Sequence, residues 1–104
     1  MYPVTPRIDL PDLAEYLGEE IVTRGIDYAN RGYVTNVQWV AQSLTLHGFV
    51  SNGRGQRYRT AVYFIEDGEV EFDVGECSCP MRGDCKHVVA LCCAFARQRP
   101  GDGH

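Results

Sequence analysis

Three cysteines and a histidine fall within eleven residues, in the stretch CSCPMRGDCKH at 77–87. Four chemistries suit such a stretch: a metal site, a redox switch, a catalytic thiol, or an apolar turn rich in sulfur. The spacing separates them. Cys77 and Cys79 are two apart, and alternate side chains of an extended segment share a face, so both sulfurs can reach one point. Pro80 to Gly83 read as a short reversal, and Asp84 suits the N-cap of a final helix. Cys85 and His87, taken as the first and third helical positions, would point ~200° apart. Cys85 must therefore sit at the loop edge, where its side chain can still bend back. Cys77, Cys79, Cys85 and His87 then make three thiolates and one imidazole, the donor set of a closed tetrahedral Zn²⁺ site. A closed site leaves no vacant position, so the metal is expected to be structural. Arg82, Lys86 and loop amides would offset the negative charge left on the cluster.

A metal matters most where the core is small. The chain has 104 residues, and a domain near that size buries only about two thirds of the surface that its unfolded chain exposes. Its start, MYPVTPRIDL, lacks a basic segment followed by an apolar one, so an intracellular setting is expected. The expectation is cytoplasmic, nucleoid-associated in a bacterium or nuclear in a eukaryote. Five cysteines is an odd number, and in a reducing compartment clustered Cys and His read as ligands before they read as disulfides. No apolar run approaches the ~20 residues of a membrane span.

The hydrophobic pattern supplies what the metal would join. Asp9 can cap a short helix through about Leu17, with Leu10, Leu13 and Leu17 on one face and Gly18 at its end. A second helix fits Glu20–Arg31, with an apolar stripe of Ile21, Gly25, Tyr28 and Ala29. Gly25 within that stripe implies close packing, and Gly32 suits the left-handed position after a helix. The period then becomes two. Tyr33, Thr35, Val37 and Trp39 alternate with polar neighbours, as do Leu44, Leu46, Gly48 and Val50, then Tyr58, Thr60, Val62 and Phe64. Asp67-Gly68 is a hairpin signal, and after it Val70, Phe72 and Val74 face one way. Gly75 breaks that alternation, and a bulge or bend there would re-aim the chain. In the last helix, Lys86–Arg99, Val88, Leu91, Cys92 and Phe95 form the buried stripe. The expected fold is α+β in one domain over 1–104: helices in 1–32, a four-stranded antiparallel meander in 33–76, and a zinc-clamped C-terminal helix in 77–99.

The net charge of −4 argues against a dedicated nucleic-acid binder, but the charges are segregated. Residues 51–59 carry three Arg and no acid, residues 66–76 six acids and no base, and residues 77–99 four bases against one acid. Arg54, Arg57 and Arg59 with Tyr58 suit phosphate contacts and base stacking near a hairpin tip, and Arg82, Lys86 and Arg97 could extend that surface. A solvated hairpin is the plainer reading. The acidic run is most simply the solvent face of a strand, and it could also meet a basic protein surface. Cys92 and Cys93 read as core and His47 as an ordinary strand histidine.

The pattern C-x-C-x5-C-x-H resembles the SWIM-type zinc finger, whose signature is C-x-C, a variable gap, then C-x-H. RGIDYANRGYV is similar to the family's N-terminal R-G-x-x-Y-x-x-x-G-x-V segment, and CKHVVAL to its helix start, so the resemblance spans roughly residues 20 to 97. SWIM domains occur in bacterial SWI/SNF-type helicase-like ATPases, in transposase-derived plant proteins and in ubiquitin-pathway or kinase proteins. The resemblance implies zinc at Cys77, Cys79, Cys85 and His87, and a non-catalytic module for DNA or a protein partner. A helicase-like ATPase in cis or in trans would be its host. The chain has no G-x-x-x-x-G-K-[ST] phosphate loop of its own. No small-molecule substrate and no membrane is expected. The alternative is a redox switch, in which oxidised thiolates eject the metal. An enzyme with Cys79 or Cys85 as nucleophile and His87 as base is the weakest reading, because both groups would be committed to metal.

Overall fold

The structure is a computed structural model, and it describes residues 6, 8–80 and 85–98. Helix α1, Leu10–Leu17, starts where the Asp9 carboxylate accepts the Asp12 N–H at 3.2 Å, as a capping aspartate should. Gly18, at φ 98°, separates it from α2, Glu19–Asn30. Val22 and Gly25 are the buried residues of α2. The expected stripe omitted Val22, which is more deeply buried than Ile21 beside it.

Four strands follow: β1 (Val34–Val40), β2 (Thr45–Ser51), β3 (Arg57–Asp67) and β4 (Glu69–Cys77). They pair antiparallel in the order β1-β2-β3-β4, which is the expected meander. A turn of 3₁₀ helix, Ala41–Ser43, joins β1 to β2. Leu44 does not open β2 as expected; it sits at φ 51° in the turn, and the buried Thr45 begins the strand.

Two bulges reset the alternation, and neither is where the sequence pattern put it. In β1, Thr35 pairs with Phe49 and Gln38 with His47, so β1 holds one residue more than β2, with Asn36 at φ 57°. Thr35, expected inward, is consequently exposed. In β4, Phe72 pairs with Phe64 but Val74 with Tyr63, which leaves Asp73 as the extra residue. Val74, also expected inward, is 43% exposed. Gly75 is therefore no bend: it pairs with Val62 inside a continuous strand. The bulge two residues earlier is what turns Gly75, Cys77 and Cys79 to the inner face.

Helix α3, Lys86–Gln98, lies between that inner face and α2. From His87 to Cys93 every residue is buried, wider than the stripe of Val88, Leu91, Cys92 and Phe95 that the sequence suggested. The cause is a second cover: α2 closes the side that a single sheet would leave wet. Three glycines open the space for α3. A Cβ on Gly25 of α2 would stand 2.5 Å from the Val89 Cβ, one on Gly48 of β2 2.6 Å from Leu91 Cδ1, and one on Gly75 of β4 2.5 Å from Val88 Cγ2. Gly75 thus serves close approach to the helix. The fold is mixed α+β, with its C-terminal helix beginning at the Cys/His cluster.

Candidate metal centre

The sequence between the bulge in β4 and the first turn of α3 brings four donors to one point. Cys77 is the last residue of β4 and pairs with Thr60. The outward Ser78 extends the pairing: its N–H donates to the Arg59 carbonyl and its hydroxyl accepts the Arg59 N–H, both at 3.0 Å. That lock on both sides of Ser78 holds Cys77 and Cys79 on the same inner face. Cys85 stands just before α3, where its carbonyl accepts the N–H groups of Val88 and Val89 at 3.0 and 3.3 Å. It therefore occupies the capping position, one residue earlier in the helix than the sequence reading had it, and His87 is the second helical residue. That shift resolves the angular conflict between Cys85 and His87, because the cap residue is not yet helical. Asp84, read as the cap, and Arg82 lie outside the described residues.

The ligand atoms of Cys77, Cys79, Cys85 and His87 all lie within 4.8 Å of one another, and all four residues are buried. His87 Nδ1 is 3.5 Å from Cys77 Sγ and 3.5 Å from Cys85 Sγ, and Cys79 Sγ is 3.7 Å from Cys85 Sγ. A tetrahedron with metal–sulfur bonds of about 2.3 Å and metal–nitrogen bonds of about 2.0 Å has S–S edges near 3.8 Å and S–N edges near 3.5 Å. The three distances match those edges. They are far beyond a disulfide bond, and the cysteines are free thiols. The geometry and the donor chemistry both fit a metal ion, and Nδ1 is the nitrogen that faces it.

Local charge supports the same arrangement. The Cys85 thiol shares its proton with Cys77, which lowers the Cys77 pKa; burial opposes this, while His87 and the Thr60 hydroxyl, 3.5 Å from the sulfur, favour the thiolate. Cys85 is shifted the opposite way, first by that bond to Cys77 and then by burial. The backbone N–H donors of Cys79, near Cys77, and of Val88 and His87, near Cys85, favour the thiolate form of each. Such donors stabilise thiolates, and a cation bound among them would replace the shared proton.

The nitrogen turned away from a metal usually donates a hydrogen bond, but His87 Nε2 is buried without a partner among the described residues. Aromatic packing holds the ring instead. Tyr58 lies 4.9 Å from it between centroids and Tyr28, from α2, 5.6 Å. From the sequence, Tyr28 and Thr60 read only as helix-stripe and strand positions, and Ser78 was not singled out. A Ser between two cysteines on a strand was the available signal for Ser78, whereas Thr60 and Tyr28 reach the site only through tertiary pairing.

The arginine set is not assembled into one surface. Arg57 and Arg59 are exposed and share the outer sheet face with Phe49; the Arg57 guanidinium lies 5.0 Å from the Phe49 ring centroid, and Arg59 is its cross-strand partner. Arg54 is exposed in the adjoining turn. Tyr58 points the other way, to His87, and its phenol donates to Gln56 at 2.9 Å, so it does not stack beside the arginines. Lys86 and Arg97 belong to the helical layer, Lys86 with its ammonium 5.4 Å above the Tyr28 ring and Arg97 exposed in the last turn of α3. Cys92 is fully buried, and burial pushes its thiol up to about 12, as an inert core cysteine requires. His47 is an exposed strand residue.

No helix among the described residues is long and apolar enough to cross a membrane. Comparison of the chain with protein-family models, with curated proteins and with solved structures gives no match in any of the three.

Proposed function

We propose that the chain is a zinc-stapled, non-catalytic interaction module of the SWIM type. In this reading it engages nucleic acid or a protein partner as an accessory domain of a SWI/SNF-type helicase-like ATPase. The observation that supports the zinc assignment is the set of four buried donors within 4.8 Å of one another, three of whose separations have the length of tetrahedral edges. Three thiolates and an imidazole favour Zn²⁺ over the harder divalent cations, which take oxygen ligands. Four protein donors fill a tetrahedral coordination sphere, which supports a structural ion and a non-catalytic chain. The same burial keeps oxidants from the sulfurs and weighs against the redox alternative.

For the binding surface, Arg57 and Arg59 beside Phe49, with Arg54 exposed in the adjoining turn, support phosphate contact with a stacking platform. Phe49 takes the stacking role first given to Tyr58. The experiment is a salt titration of zinc-loaded protein on single-stranded and duplex oligonucleotides. Nucleic-acid binding predicts affinity falling steeply with salt, and Arg57→Ala with Arg59→Ala lowering the slope by about one per residue. No measurable affinity at low salt would exclude nucleic acid and leave the protein partner.

A further inference from the structure

Helix α1 and strand β4 do not close on one another. Between them lies a cleft of about 480 Å³, within the size range of sites that hold a ligand or a large side chain. Its floor is apolar, formed by Ile8, Leu13 and Phe72 with the buried Cys92 beneath. Its rim is acidic: Asp9, Asp12 and Glu15 on the α1 side face Glu71 on the β4 side, and no base lines it among the described residues. Tyr16 stands at the rim, 75% exposed, with its ring centroid 6.2 Å from that of Phe72. A tyrosine this exposed buries little against its own chain.

The strand adds a third property. Glu71 and Phe72 are neighbours on β4, so their side chains point to opposite faces. A cleft lined by both wraps the strand's outer edge. β4 is the edge strand of the sheet, and among the described residues only β3 pairs with it. An edge strand offers alternate backbone groups to an incoming extended chain.

We propose that this cleft docks an extended basic segment of a protein partner. One large apolar side chain of the segment enters the floor, its flanking Arg or Lys meet the carboxylates of Asp12, Glu15 and Glu71, and its backbone runs along the edge of β4. Charge complementarity selects this occupant. An acidic peptide or a nucleic acid would be repelled by the rim, whereas a guanidinium gains from the carboxylates and from the faces of Tyr16 and Phe72. The proposal does not depend on the zinc assignment or on the arginine face, which has the opposite charge.

The test is titration of the ¹⁵N-labelled, zinc-loaded 104-residue chain with a synthetic hexapeptide of alternating Arg and Leu. Amide shifts should saturate and cluster at Leu13, Tyr16, Glu71 and Phe72. A Glu/Leu hexapeptide should leave them still, and an Arg/Ser hexapeptide should bind roughly tenfold more weakly because it lacks the anchor. The pair Glu15→Lys with Glu71→Lys should weaken binding by about tenfold or more. Both side chains are exposed, and shifts far from the cleft report that the fold is intact. Shifts spread over the whole acidic surface, equal binding of the Arg/Ser peptide, or indifference to charge reversal would overturn the proposal. Two further results would replace it: cleft signals that move with protein concentration alone identify a second copy as occupant, and nuclear Overhauser contacts from residues 1–5 to Leu13 and Phe72 show the cleft filled in cis.

Discussion

Helix α3 is fastened to the sheet at both ends, by unlike means. At its start, Cys85 and His87 meet Cys77 and Cys79 across 3.5–3.7 Å contacts. At its end, the Phe95 ring lies 6.2 Å from Trp39, which packs edge-on to Phe64 at 5.5 Å, and Phe64 in turn to Phe72 at 6.4 Å. The aromatic end is held by buried area, which needs no partner from outside the chain. The metal end is four polar groups withdrawn from water, and their mutual attraction is weak until a cation sits among them. On the proposed zinc reading, one fastening is unconditional and the other depends on metal. The difference can be broken or sharpened experimentally.

Metal removal should have the largest effect. Structural zinc in small domains accounts for free energy of the order of 10 kcal/mol near neutral pH. A chelator should therefore release the segment around Cys77–His87 and lower the melting temperature sharply. Hydrogen exchange should rise first at Cys77, Ser78 and Val88, with the amides near Trp39 and Phe64 following only on global unfolding. Uniform exchange at both ends would erase the distinction. Next in size is Phe64→Ala at the aromatic end, expected to cost about 3–5 kcal/mol in chemical denaturation while leaving one metal per chain. Gly25→Ala comes third. Its methyl would stand 2.5 Å from the Val89 Cβ and 2.8 Å from the Lys86 carbonyl, and the backbone group cannot swing away. About 1–3 kcal/mol of stability should be lost, together with some metal affinity, because Lys86 adjoins both Cys85 and His87. The smallest effect is Thr60→Val, which keeps the shape but removes the hydroxyl beside Cys77. It should weaken metal binding by about tenfold and leave the Phe64 end unchanged.

The same contrast separates what the sequence disclosed from what it concealed. Local signals were readable: the Asp9 cap, the Asp67-Gly68 hairpin, the antiparallel meander, and the clustering of Cys77, Cys79, Cys85 and His87. Each is set by residues within a few positions of one another. The bulges at Asn36 and Asp73 were not readable, because an extra residue in one strand is defined only against its partner. The result was a phase error at Thr35 and at Val74. Gly75, flagged correctly as a break in the pattern, was given the wrong cause: its missing side chain admits Val88, and Asp73 makes the turn of phase. The breadth of burial on α3 was hidden likewise, since a stripe on one face says nothing about α2 covering the other. The arginines show the cost of reading a surface from sequence order. Arg57, Tyr58 and Arg59 are adjacent in the chain, yet strand geometry sends Tyr58 to His87 in the Cys/His cluster and the arginines to the opposite face.

The most direct test of the account is a Co²⁺ titration of the metal-free protein, followed by thiolate-to-metal charge-transfer and visible absorption. The account predicts saturation at one equivalent, a tetrahedral spectrum with the intensity of three thiolates, and displacement of Co²⁺ by Zn²⁺. Cys77→Ser, Cys79→Ser and Cys85→Ser should each reduce that intensity, and Cys92→Ser should not. No binding, an octahedral spectrum, or a spectrum that survives loss of Cys77 would contradict it.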